Sequence, residues 1–239
     1  MKQIFRLTFF LFVVCPLFLG AQLQTGLSLP YLVREPSVKV DKPKIMILLH
    51  GYGSNEADLF ALQSSLPANS MVISARAPIA MGDNGFQWFR METVNGAMQG
   101  NREDIKTSAE KIKSFIKEIT LKYQAEANQV YLCGFSQGAM MSYEVGLTAP
   151  QLLKGIAPLG GKIFDALKAN IKPSASLKAL KIFIGHGDAD NRVAYSYATG
   201  ADSFLKKLGL SPVFHTYKGL GHSINQAELS DLVSWFNEK

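Results

Sequence analysis

The residues most able to do chemistry are Gly134-Phe135-Ser136-Gln137-Gly138. They follow the apolar run Val130-Tyr131-Leu132-Cys133 and precede a segment in which Ala139, Met140, Tyr143 and Leu147 recur at helical spacing. This pattern puts a serine on a sharp strand-to-helix turn, a nucleophile elbow, with its hydroxyl clear of the sheet edge. The flanking glycines admit a backbone path that a Cβ would obstruct. A helix beginning just after Ser136 also aims its positive end at the place where an oxyanion would form. A tight turn with a solvent-facing serine has the same letters, so the partners of Ser136 must decide between the two.

A serine hydroxyl is a poor nucleophile at neutral pH and needs a base, held in one tautomer by a third group. On an elbow of this kind the acid and then the histidine follow the serine in chain order. Only His186, His215 and His222 come after Ser136. His215 shares a face with Val213 and Tyr217 in an extended pattern, which suits a structural role. His222 lies in Gly219-Leu220-Gly221-His222-Ser223, a glycine-rich loop before the last amphipathic segment, and is the candidate base. Lys181-Ile182-Phe183-Ile184-Gly185 reads as a buried parallel strand ending in the loop His186 to Val193, which offers two carboxylates. The spacing Gly187-x-x-Asp190-x-x-Val193 favours Asp190 as the acid, whereas Asp188 is expected to hydrogen-bond loop backbone. A His-x-Asp-x-Asp cluster can ligate metal, but no second ligand group stands at ligand spacing, so neither metal nor cofactor is expected.

An oxyanion hole needs two backbone donors. One is the N–H after the nucleophile, Gln137. The other belongs to an earlier strand-helix loop, here His50-Gly51-Tyr52-Gly53 after the apolar strand Lys44 to Leu49, and Tyr52 is the expected donor. His50 is read as a satisfied structural histidine.

Several segments together resemble the phospholipase/carboxylesterase family of α/β-hydrolases, which includes the acyl-protein thioesterases. They are Leu48 to Phe60, Ser74-Ala75-Arg76-Ala77-Pro78, Gln87-Trp88-Phe89, Gly134 to Ala139, His186-Gly187-Asp188-x-Asp190 and Gly221-His222. The resemblance runs in order from about Tyr31 to Trp235. It implies an α/β-hydrolase fold, Ser136, Asp190 and His222 as a catalytic triad, and Tyr52 and Gln137 as oxyanion donors. The chain departs from the family pattern at Arg90, where an acidic residue is usual, and at Gly160-Gly161, where serine-glycine is usual. Both departures lie near the expected substrate pocket.

The elements that must hold these residues alternate. Apolar strand candidates near Ile45, Met71, Val130, Gly155, Ile182 and Val213 are interleaved with helical patterns near Ala57, Ser108, Ala139, Tyr195 and Leu229. That alternation predicts a mostly parallel sheet with helices on both faces. The stretch from Arg76 to Asn101 reads as a long irregular loop without a large lid domain. Its Trp88 and Phe89 are expected either to line the substrate site or to pack the loop onto the domain.

Residues 1–21 read as a secretory signal peptide, with Lys2 and Arg6, an apolar core from Leu7 to Leu19 and a Gly20-Ala21 exit. Residues 22–239 then form a single catalytic domain, secreted or periplasmic, with no stable membrane insertion after the leader is removed. Its one remaining cysteine, Cys133, has no intramolecular partner. Losing Lys2 and Arg6 lowers the formal charge from +6 to +4, and the lysines of residues 106–117 are interleaved with Glu110 and Glu118. This is a solvated helix face and not a nucleic-acid footprint. The expectation is a serine esterase acting on a small-molecule ester. A thioesterase or lysophospholipase would use the same residues. A silent binding protein on this scaffold is the third reading, though no triad member is missing, and the sequence leaves the oligomeric state open.

Overall fold

The computed structural model of the chain describes residues 21–94 and 96–238. The expected leader, apart from Ala21, lies outside the described residues. In chain order the strands and α-helices are β1 (Tyr31–Arg34), β2 (Ile45–Leu49), α1 (Glu56–Phe60), β3 (Met71–Ala75), β4 (Ile79–Met81), β5 (Gly85–Gln87), β6 (Met91–Val94), β7 (Ala97–Gly100) and α2 (Arg102–Lys122). There follow β8 (Val130–Phe135), α3 (Gln137–Thr148), β9 (Gly155–Leu159), α4 (Asp165–Asn170), α5 (Ala175–Ala179), β10 (Lys181–Gly187), α6 (Ser196–Lys207), β11 (Val213–Tyr217) and α7 (Gln226–Asn237).

Seven strands form one sheet in the order β1-β3-β2-β8-β9-β10-β11. Only β1 runs antiparallel, pairing Tyr31 with Ala75 on β3; the other pairings are parallel. The central strands are continuous apolar runs because both of their faces are covered. Ile45, Ile47 and Leu49 feed the core shared with α2, α3 and α6, while Met46 and Leu48 feed the core shared with α1 and α7. The strand period of two thus builds both layers from one run of letters.

Helix α2 follows from its sequence most directly. Asn101 caps it by accepting from the Asp104 N–H at 3.0 Å, and Ile105, Ala109, Ile112, Phe115, Ile116 and Ile119 recur on its buried side. Helix α3 differs from its amphipathic reading. Apart from Glu144 and Thr148 its residues are buried, because it lies deep between the sheet and α2.

The stretch read as one irregular loop, Arg76 to Asn101, is instead two short antiparallel hairpins, β4–β5 and β6–β7. Three- and four-residue strands are too short to show a period, and their pairing partners lie inside the same stretch. The edge strand β1 and the short helices α4 and α5 likewise carry no long periodic pattern.

Candidate active site

Strands β2 and β8 are neighbours, but the helices that follow them leave toward opposite faces of the sheet, α1 to one core and α3 to the other. Such a divergence opens a crevice beyond the carboxyl ends of the strands, where ligands bind in open α/β sheets. Ser136 stands there. Its backbone takes φ 55° and ψ −114°, a left-handed conformation rare for a residue with a Cβ. Ser136 itself carries the strain, and the flanking glycines leave room for the path, as the sequence implies. A Cβ on Gly138 would lie 2.0 Å from the Leu49 carbonyl oxygen, and one on Gly134 would lie 2.2 Å from that of Gly138.

Ser136 occupies the N-cap position of α3 yet makes no capping hydrogen bond. A serine cap is ordinarily worth about 1 kcal/mol. Its Oγ points to His222 Nε2 at 2.9 Å, and His222 Nδ1 lies 2.7 Å from Asp190 Oδ2. The fold therefore brings together three residues spread over 86 positions. Asp190 is buried, and its Oδ1 accepts the N–H groups of Arg192 and Val193 at 2.8 and 2.9 Å. Burial by itself would raise its pKa. The hydrogen bond from His222 and the two backbone donors outweigh that and hold the carboxyl below the usual aspartate range. An ionised Asp190 keeps the proton of neutral His222 on Nδ1, leaving Nε2 free to accept from the serine.

The second aspartate of the loop does something else. Asp188 Oδ1 accepts the Gly219 N–H at 2.6 Å, and the Ala189 N–H donates to the Leu220 carbonyl at 3.1 Å, so the acid loop is stitched to the histidine loop. His215 is structural: it lies 3.1 Å from Asp231 and stacks on Phe183. His186 had no assigned role in the sequence. It is fully buried, donates from Nε2 to the Val193 carbonyl at 2.8 Å and lies 3.4 Å from Asp190 Oδ2. Position alone, directly before the acid loop, was the signal that could have found it.

On the opposite side, Gly51 packs so close that a Cβ there would lie 3.4 Å from Ser136 Cβ. The loop carrying Tyr52 is pinned by the Gly53 N–H to the Phe86 carbonyl at 2.9 Å and by the Phe86 N–H to the Ser54 carbonyl at 2.7 Å. His50 is buried and satisfied at both nitrogens. Nδ1–H donates to the Gly51 carbonyl at 2.8 Å, and Nε2 accepts the Ala77 N–H at 3.0 Å. Burial holds its pKa below the ordinary histidine value, in keeping with a neutral ring. Gln137 opens α3, so its own N–H has no intrahelical acceptor and remains for a ligand. Its side chain clamps the neighbouring loop, Oε1 accepting the Trp88 N–H at 3.0 Å and Nε2 donating to the Phe89 carbonyl at 2.8 Å.

Of the two aromatics expected at the substrate, the structure separates one from the other. Trp88 is sealed in the core, its indole N–H donating to the His50 carbonyl at 2.8 Å. It braces the His50–Gly53 loop from behind and is buried away from the surface, because the Gln137 clamp draws residues 87–89 inward. Phe89 packs edge-on against Phe164 at 5.5 Å and lines a cavity of 1020 Å³. The lining of that cavity includes Gln137, next to Ser136, and Val193, which donates to Asp190. Met140 and Ile163 stand in its apolar wall, but Ser136, His222 and Tyr52 do not line it. Arg90, one of the departures, is tied to Asp104 through Nε at 2.7 Å and does not enter the cavity wall. Among the described residues no group of His, Cys, Asp or Glu could hold a metal ion.

The model of the phospholipase/carboxylesterase family matches residues 33–238. The chain is 30% identical over 231 residues to acyl-protein thioesterase 1 of Mycosarcoma maydis, covering 87% of this chain and 95% of that protein. Among solved structures it is similar to esterase PE8, with a TM-score of 0.71, 30% identity and coverage of 88% and 98% of the two chains. A carboxylesterase from Mesorhizobium loti shares the fold at a TM-score of 0.75, with 20% identity and coverage of 90% and 97%.

Proposed function

Since the chain belongs to the phospholipase/carboxylesterase family of α/β-hydrolases and is a hydrolase, we propose that it cleaves carboxylic esters through an acyl-enzyme on Ser136. The observation that carries this reading is the chain of contacts from Ser136 Oγ to His222 at 2.9 Å and from His222 to Asp190 at 2.7 Å. In the proposed reaction Ser136 Oγ attacks the ester carbonyl carbon as its proton passes to His222 Nε2. The carbonyl oxygen becomes an oxyanion that accepts the N–H groups of Gln137 and Tyr52, while Asp190 stabilises the imidazolium. Collapse of the adduct breaks the bond to the alcohol oxygen, which takes the proton from His222 and leaves the acyl group on Ser136. Water, giving its proton to His222, then attacks the acyl-enzyme. That step releases the carboxylic acid and restores the serine.

The test is Ser136→Ala. Labelling by a fluorophosphonate probe should vanish and ester turnover should fall by roughly four to six orders of magnitude, with circular dichroism unchanged. A folded variant keeping half the wild-type activity would end the serine-hydrolase reading.

A thioester is the second reading, favoured by the name of the fungal relative. The same attack expels a thiolate, and paired oxygen and sulfur esters of one acyl group rank the two. We also propose export, with the mature chain beginning at Gln22, because a charged start, an apolar core and small exit residues precede it. Among the described residues no helix is long and apolar enough to cross a membrane. Mass spectrometry of the protein from its native host should find Gln22 at the amino terminus, and an intact Met1 would refute export.

A further inference from the structure

Building on the ester-hydrolase reading, we propose that Lys162 and Arg192 form an anion-recognition site at the catalytic end of the cavity. The preferred ester then carries a carboxylate on its acyl or its alcohol part. Both cations stand on strand-end loops that also frame the histidine–aspartate pair. Arg192 gives its backbone N–H to Asp190 Oδ1 at 2.8 Å while its side chain lines the cavity beside Val193. Lys162 follows β9 two residues after Gly160, where a Cβ would lie 3.7 Å from His222 Nδ1, and it lines the same cavity.

The charges of the cavity wall are unevenly matched. On the α2 side Arg102, Lys106 and Lys113 are equalled in number by Glu103, Glu110 and Glu144, with Lys113 bonded to Glu110 at 2.9 Å. Toward β9 the one carboxylate in the wall, Asp165, is bonded to Lys168 at 2.9 Å and also feels the Lys162 charge, so it is shared between two cations. Arg192 has no ion-pair partner among the described residues. The Lys162 ammonium lies 4.8 Å from the centre of the Tyr197 ring, a contact that holds the charge at the wall without neutralising it. Two cations set against one wall carboxylate, beside an apolar surface formed by Phe89, Met140 and Phe164, attract an anion attached to an apolar body. A guanidinium and an ammonium together suit a carboxylate.

Two matched ester pairs test this. Mono-p-nitrophenyl suberate against p-nitrophenyl octanoate puts the charge on the acyl side; the butyrates of p-hydroxybenzoate and p-hydroxybenzamide put it on the alcohol side. In at least one pair the wild type should favour the charged ester by roughly tenfold in kcat/KM at low salt, and the preference should shrink in about 1 M salt. In the double variant K162Q/R192Q the ratio should fall to about one. Ratios at or below one in both wild-type pairs, or a preference that survives the substitutions, would overturn the proposal. A general loss of catalysis lowers both members of a pair and leaves the ratio standing. Should no ester be turned over, the ester-hydrolase reading fails, and calorimetry on Ser136→Ala still decides the anion site. Monomethyl suberate should bind more tightly than methyl octanoate and lose that advantage with K162Q/R192Q; equal binding would overturn the site.

Discussion

Asp190 and Glu228 are two carboxyl groups sealed within the same fold, 7% and 1% exposed, and the structure treats them in opposite ways. Asp190, on the loop after β10, accepts from two backbone N–H groups and from His222, and stays ionised. Glu228, in the first turn of α7, has an Oε1 with no hydrogen-bond partner and sits against Gly185, where a Cβ would lie 2.2 Å from that oxygen. Burial, reinforced by the charge of Asp231, pushes the Glu228 carboxyl up to about 8. The charged and titratable neighbours that bear on it are Asp231 on its own helix, the Cys133 thiol on β8 and the Tyr217 hydroxyl on β11. Burial alone therefore does not set the state of a carboxyl in this protein; the number of donors facing it does.

The comparison breaks most visibly at Asp190. Asp190→Asn keeps the shape but holds His222 in the wrong tautomer, so ester turnover near neutral pH should fall by about 10⁴-fold, read by initial rates on protein shown to be folded. A loss under tenfold would remove Asp190 from its orienting role. Glu228→Gln should instead leave the site intact and change the pH dependence of stability. The folded chain keeps the Glu228 proton to about 8 whereas the unfolded chain releases it near 4.5. Wild-type stability should therefore decline as pH rises across that window, by up to about 1.4 kcal/mol per pH unit, and level off above it. Asp190 has the opposite sign, its contribution being present above the unfolded aspartate value and lost as pH falls. Urea unfolding of wild type and Glu228→Gln at several pH values checks this, since parallel curves would mean that Glu228 is already ionised in the fold. The smallest effect sharpens the contrast within the acid loop. Asp188→Ala removes the hydrogen bond from the Gly219 N–H that ties the two loops together and should cost about 1 kcal/mol of stability, with modest change in the turnover of the folded fraction. Kinetic losses as large as those of Asp190→Asn would mean that the loop acts as one unit.

Much of the scaffold was legible because its signals are local. The parallel strands at Ile45–Leu49 and Val130–Phe135 read as unbroken apolar runs, and α2 shows its buried face at helical spacing over 21 residues. The hairpins within Arg76 to Asn101 and the edge strand at Tyr31–Arg34 were not legible, since their strands are three or four residues long and owe their existence to a partner. Trp88 shows the limit for side chains. Its type and neighbours suited a substrate wall as well as a core, and only the Gln137 clamp, 49 residues away in sequence, turned it inward.

By itself the sequence determined the order of the six parallel strands and of the longer helices between them, the elbow at Ser136, and a short set of histidines and aspartates from which its partners could come. The tertiary structure decided which of them meet. Two aspartates two residues apart have nearly the same local propensities, yet Asp190 faces His222 while Asp188 faces the Gly219 backbone. It also decided that Ser136 gives up its cap, and that Glu228 keeps a proton which Asp190 releases. Burial, facing donors and electrostatic field are set by elements distant in sequence, and the free energies they govern are not carried by any local run of residues.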